Sequence, residues 1–189
     1  KKYFARYPIY LAIGNHEPCP VNAFPNPNIN KEGLPFTKEL AMLWSPWLTN
    51  SSIKEVSFGG YYTQMVKDGL RMVSVNMNYC NNLNFYLYIN EADPGNQLKW
   101  LIDVLENATN HHEMVYLLGH IPPGTHNCLG HWSSRFYKII DHYSSIIISQ
   151  FYGHTHDDSF EVFYDIDTGI PNNLAYISPS VTPYVGHNP

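Results

Sequence analysis

Charge is scarce in this sequence. Only 14% of its 189 residues are Asp, Glu, Lys or Arg, and the 11 basic residues form no cluster. With a net charge of −5, there is no electrostatic footprint for nucleic acid. Also missing is any run of 18 apolar residues, so no helix is expected to span a bilayer. There is no internal repeat, low-complexity tract or linker, and 189 residues suffice for a sizeable core, so a single domain over 1–189 is predicted. No signal peptide precedes Lys1, and the first residues run almost at once into a predicted core strand. That abrupt start predicts a chain whose N-terminal part, with any targeting sequence, lies elsewhere.

Cysteine is sparse too. Cys19, Cys80 and Cys128 make an odd count, which fits one disulfide plus one other thiol, or three reduced thiols in a cytosolic protein. Two sequons, at Asn50 and Asn107, favour the secretory pathway and mark both asparagines as candidate glycosylation sites.

What the chain has instead is aromatic and imidazole side chains. Fifteen Tyr, 9 Phe and 4 Trp favour a well-packed domain, and ten His outnumber the lysines, as expected of a metal site or an acid-adapted protein.

Periodicity sets the elements. Strands are expected over 7–13, 57–66, 70–78, 114–118, 146–152, 159–165 and 173–178, with a turn at Lys67-Asp68-Gly69. Helices are expected over 36–47 (Leu40, Leu43, Trp44, Trp47), from the Asp93-Pro94 start to about residue 108 (Leu98, Leu101, Ile102, Leu105), and over 134–143 (Phe136, Ile139, Ile140, Tyr143). The Pro- and Asn-rich stretch 14–30 is neither helix nor central strand, and a loop this long inside a domain is more often functional than a linker. Alternation of strands and helices predicts an α/β fold.

Three of the strands end alike. One runs into Gly14-Asn15-His16-Glu17, another into Gly119-His120, and a third into Gly153-His154-Thr155-His156. Glycine allows the sharp turn, and the polar residue then falls outside the strand's carboxyl end, where α/β sheets place ligands. Two-residue alternation would direct His154 and His156 to one place. Neutral imidazole is the commonest protein ligand for zinc and related metals, so the repeated pattern predicts a metal site.

In their order, Gly-Asn-His-Glu, Gly-His and Gly-His-Thr-His resemble the second half of the calcineurin-like metallophosphoesterase signature. The segments Pro20-Val21-Asn22, Ser74-Val75-Asn76-Met77-Asn78-Tyr79-Cys80, Ile121-Pro122-Pro123-Gly124 and Phe160-Glu161-Val162-Phe163-Tyr164-Asp165 narrow the resemblance to the acid sphingomyelinase family, over nearly the whole chain. The resemblance implies two packed β-sheets flanked by helices, of which this chain is the C-terminal portion of the catalytic domain. It implies two zinc ions, with Asn15, His120 and His154 on one and His156 on the other, and His16 as general acid. It also implies Asn22 and Tyr184 as substrate-lining residues and a Cys80–Cys128 disulfide, leaving Cys19 unassigned. The substrate implied is sphingomyelin, cleaved to ceramide and phosphocholine by a secreted or lysosomal enzyme. The bilayer would be reached through segments outside this chain.

These enzymes open with Asp-x-His and then Gly-Asp, which supply the remaining ligands. Neither precedes Gly14, and Asp-x-His occurs nowhere here, so the chain alone is expected to be inactive. Two other functions stay open: a sphingomyelinase-like phosphodiesterase acting on nucleotides or other soluble phosphodiesters, and a silent secreted binding relative. His111, His112, His126, His131, His142 and His187 are not expected to bind metal, although His126 and His131, flanking Cys128, could meet a lipid head group. Asp157 and Asp158 are expected in a solvated turn.

Overall fold

A computed structural model of the chain describes residues 7–29, 34–89 and 92–181. Four helices, α1 (Pro35–Trp44), α2 (Asn50–Gly59), α3 (Gln97–Asn110) and α4 (Gly130–His142), accompany six strands. The strands are β1 (Tyr62–Lys67), β2 (Leu70–Ser74), β3 (Met114–Leu118), β4 (Ile147–Tyr152), β5 (Ser159–Tyr164) and β6 (Pro171–Ile177). They form one sheet in the order β1-β2-β3-β4-β6-β5. The pairs β2–β3, β3–β4 and β4–β6 are parallel, while β1–β2 and β5–β6 are antiparallel hairpins at the two edges. A parallel centre brings the carboxyl ends of β2, β3 and β4 to one side, and the loops that follow them meet there.

The α/β class and the flanking helices match expectation. Of the sheets implied by the resemblance, the described residues build one. One of its faces is buried: Val73, Val115, Leu117 and Ile147 pack in one cluster with Leu101 and Leu105 of α3 and Trp132, Phe136 and Ile140 of α4. A second cluster joins Ile13, Phe24, Leu40, Val56, Tyr62 and Tyr79, and Trp100 packs against both. A row of rings, Tyr116, Phe151 and Tyr176, crosses three neighbouring strands and remains partly exposed. Among the described residues, no helix is long and apolar enough to cross a membrane.

Four expectations need correction. Residues 8–13 are extended but pair with no strand among the described residues. At its middle, side chains take the place of a strand: Leu11 N–H donates to the Tyr62 hydroxyl at 2.8 Å, and the Ser74 hydroxyl donates to Leu11 O at 2.8 Å. The strand expected over 57–66 starts only at Tyr62, because Ser57–Gly59 closes α2, a helix the periodicity did not reveal. The mean hydropathy of α2 is low; its ends define it, with Thr49 Oγ1 accepting from Ser52 N–H and Gly60 turning left-handed at φ 73°. In α1, Leu43 points outward, 64% exposed, while Thr37, Leu40 and Ala41 face the core. Finally, β2 stops at Ser74, and residues 77–79 form a 3₁₀ turn rather than strand.

Candidate active site

The first loop is anchored at Gly14. Its N–H donates to the Glu17 carboxylate at 2.6 Å, and its carbonyl accepts from Asn78 Nδ2 at 3.1 Å. A Cβ on Gly14 would lie 3.3 Å from His120 Cε1 and Nε2, so the residue before Asn15 must be small for the imidazole to sit against this backbone. His120 follows β3 directly, and its carbonyl accepts from Gly153 N–H at 2.9 Å, which locks the second loop to the third.

In the third loop, Thr155 N–H donates to Gly153 O at 2.8 Å while His154 takes φ 71°, a three-residue turn of the rare positive-φ kind. His156 is also left-handed, at φ 67°. Strand alternation therefore does not continue past β4, and the backbone is strained at these two imidazoles, a feature that clusters at functional sites.

Three donor atoms converge. Asn15 Oδ1 lies 2.9 Å from His120 Nε2 and 3.2 Å from His154 Nδ1, and the two ring nitrogens are 3.3 Å apart. Bonds of about 2.0–2.1 Å from one cation, at tetrahedral to octahedral angles, place neighbouring donors about 2.8–3.4 Å apart. The triangle fits that span. Asn15 turns its NH2 group away, Nδ2 donating to Asn22 Oδ1 at 2.9 Å, so that oxygen faces the imidazoles.

Burial pushes the His120 pKa down to about 4, and the neighbouring His154, His16 and His156 push the same way. His154 is also lowered, chiefly by burial and then by His156, His126 and His16. Both shifts favour the neutral imidazole that a metal ligand requires. His16 is exposed beside buried Asn15.

The expected residues thus fall into groups. Asn15, His120 and His154 meet, with His16 and His156 beside them. Asn22 stands behind Asn15, its Oδ1 also accepting from Asn81 Nδ2 at 3.0 Å. Cys80 and Cys128 are bridged, and Cys19 is free and exposed. Asn50 and Asn107 are exposed, as are Asp157 and Asp158. Tyr184 lies outside the described residues, as does His187. Among the described residues no group of three or more His, Cys, Asp or Glu has metal-holding spacing, so the described donor set is two imidazoles and an amide. Glu17, Asn78 and Asn81 were not read as site residues. Glu17 and Asn78 fall inside the quoted motif segments, whereas the signal for Asn81 in the sequence is the density of Asn in residues 76–84.

A profile of calcineurin-like phosphoesterases matches residues 1–158. The chain is 43% identical over its whole length to the sphingomyelin phosphodiesterases of Bos taurus and Homo sapiens, covering 30% of each. It is 37% identical to the acid sphingomyelinase-like phosphodiesterase 3b of Mus musculus, with 97% of this chain and 41% of the mouse protein aligned. Among solved structures, a dimetal phosphatase from Danio rerio aligns with 64% of this chain and 49% of its own, at TM-score 0.46 and 15% identity. The chain thus spans about a third of the length of the curated relatives it matches.

Proposed function

This chain belongs to the calcineurin-like phosphoesterase family, and from that premise we propose that its protein hydrolyses the phosphodiester of sphingomyelin to ceramide and phosphocholine. The observation that carries the reading is the triangle of Asn15 Oδ1, His120 Nε2 and His154 Nδ1, with separations of 2.9–3.3 Å, at the carboxyl side of a parallel sheet. In this reading Asn15, His120 and His154 hold one zinc ion and His156 serves a second, the remaining ligands coming from outside this chain. Such ions, when bound, screen the phosphate charge and make a hydroxide available near neutral pH.

The chain's own residues do the rest. The amide oxygen of Asn15 contributes a donor without adding a charge that would repel phosphate. His16 gives its proton to the ceramide oxygen as the P–O bond breaks, so the leaving group departs as an alcohol rather than an alkoxide. Its exposure beside Asn15 suits it to exchange protons with solvent between turnovers. The described side-chain hydrogen bonds of Asn22 use only its Oδ1, which leaves its NH2 to donate to a phosphate oxygen. Tyr184 is retained as a second substrate contact. A secreted or lysosomal location agrees with the Cys80–Cys128 bridge and the exposed sequons.

The full-length protein, expressed through the secretory pathway, tests this. Wild type is expected to carry about two zinc ions per chain and to turn over sphingomyelin, and chelation should abolish turnover until zinc is returned. His16→Ala should retain the metal and lose about 100- to 10,000-fold in kcat. The same chemistry acting on a soluble phosphodiester is the alternative that this experiment separates. Turnover of a nucleotide phosphodiester but not of sphingomyelin would select it. A protein with neither metal nor turnover would be a silent relative.

A further inference from the structure

An asparagine that binds metal through oxygen has a weakness that histidine lacks. The two ends of its amide are nearly the same size, the last torsion is broad and two-fold, and only one end has a lone pair to give. Something must fix which end faces the imidazoles. For Asn15 the first part of the answer is Asn22, whose Oδ1 accepts from Asn15 Nδ2 at 2.9 Å and whose N–H donates to Asn15 O at 2.8 Å. Asn22 holds φ 66° to make both contacts.

Asn22, however, has the same ambiguity. If its amide turned over, two NH2 groups would face each other and Asn15 would lose its anchor. The group that prevents this is Asn81, which donates from Nδ2 to the same Asn22 Oδ1 at 3.0 Å. Asn81 is itself fixed. It is 1% exposed, its Oδ1 accepts from Leu83 N–H at 3.0 Å, and its carbonyl accepts from Asn84 N–H at 2.9 Å. Its backbone forms an isolated bridge with Cys128, the disulfide partner of the preceding Cys80. Asn15 and Asn81 are buried and Asn22 is half-buried, so these contacts are partly shielded from water, and that shielding strengthens the preference for this set of amide orientations.

We propose that Asn81 is a positioning residue of the metal site. It acts through Asn22 to hold the oxygen of Asn15 towards His120 and His154. The chain of contacts runs Asn81 Nδ2–H to Asn22 Oδ1, and Asn15 Nδ2–H to that same oxygen, leaving Asn15 Oδ1 at the imidazoles. The proposal rests on the reading of Asn15 as a metal ligand. It is compatible with Asn22 also meeting substrate, because the relay uses the oxygen of Asn22 and not its NH2.

The test is zinc affinity, measured by chelator competition on the full-length protein. Asn81→Asp keeps the size and the acceptor for Leu83 N–H but removes the donor, and it sets a carboxylate against Asn22 Oδ1, which favours the turned-over amide. Zinc affinity is expected to fall about 10- to 100-fold, the usual cost of losing a partner that orients a ligand. Asn81→Ala should fall in the same direction. The decisive comparison is Asn22→Ala alone against Asn22→Ala with Asn81→Asp. If Asn81 acts through Asn22, the double variant binds zinc no more weakly than Asn22→Ala alone. Unchanged affinity in the Asn81 variants, additive losses in the double variant, or loss of the folded state in both Asn81 variants would each overturn the proposal. A wild type that binds no zinc would instead overturn the metal reading itself, and the relay with it.

Discussion

At the scale of single residues, the site is defined by what its imidazoles cannot do. His120 has an ordinary pKa of 6.5 once unfolded and about 4 in the fold, because a cation there would be buried and would face other histidines. The unfolded chain therefore binds more protons than the native one between those two values, so native stability falls as pH drops from 6.5 to about 4, and the effect saturates below that. Fully developed, such a shift corresponds to on the order of 3 kcal/mol. His154 is lowered too and adds in the same direction. Metal-free wild type is thus expected to lose melting temperature between pH 7 and pH 4.5, and His120→Gln to lose less; parallel curves for the two would contradict this. The convergence of Asn15, His120 and His154 was anticipated by the sequence because Gly-His motifs after apolar runs are compact. Asn81 was not, because its role depends on Asn22, 59 residues away.

At the scale of elements, the strongly periodic segments were the legible ones. The spans of β3, β4, β5, β6, α3 and α4 lie within a few residues of expectation, since each carries an unbroken apolar face that a single layer must bury. The helix α2 escaped because its sequence, NSSIKEVSFG, has no clean stripe, and the Gly-Gly-Tyr-Tyr that follows reads as strand. It is held by its caps and by contacts across the fold: Glu55 accepts from Thr63 N–H at 3.0 Å and from Trp100 Nε1 at 3.0 Å. Thr49 Oγ1 caps Ser52 N–H, so Thr49→Ala should cost about 1 kcal/mol. Chemical denaturation would show this as a lower midpoint with an unchanged slope. A neutral result would mean that tertiary contacts alone define the helix. The segment 8–13 failed as a strand for a related reason: its apolar run does bury Ile13, but pairing requires a neighbour, which no local pattern specifies.

At the scale of the whole molecule, the parallel centre of the sheet and one covalent link assemble the site. Cys80 lies just beyond the 3₁₀ turn after β2, and Cys128 ends the loop that starts at His120, so their bridge ties together the loops bearing Asn81 and His120. In the chain-entropy model, closing a loop of about 50 residues is worth about 4 kcal/mol. Replacing both cysteines by serine in the full-length protein should lower its melting temperature markedly. It should also weaken zinc binding more than a core truncation of similar cost, such as Phe136→Ala at a fully buried ring. Equal loss of affinity in the two would reduce the bridge to a purely global role.

The sequence by itself determined the α/β class and the family resemblance, which are carried by local apolar periods and short motifs, and through that resemblance it implied the Cys80–Cys128 bridge that the structure contains. The tertiary structure decided that the Leu11 backbone bonds to the side chains of Tyr62 and Ser74 rather than to a strand, that His154 and His156 have left-handed backbones, and that Asn22 and Asn81 stand in line behind Asn15. Those outcomes depend on which distant groups offer a donor or an acceptor at about 3 Å. That is a property of packing between elements, and no window of neighbouring residues contains it.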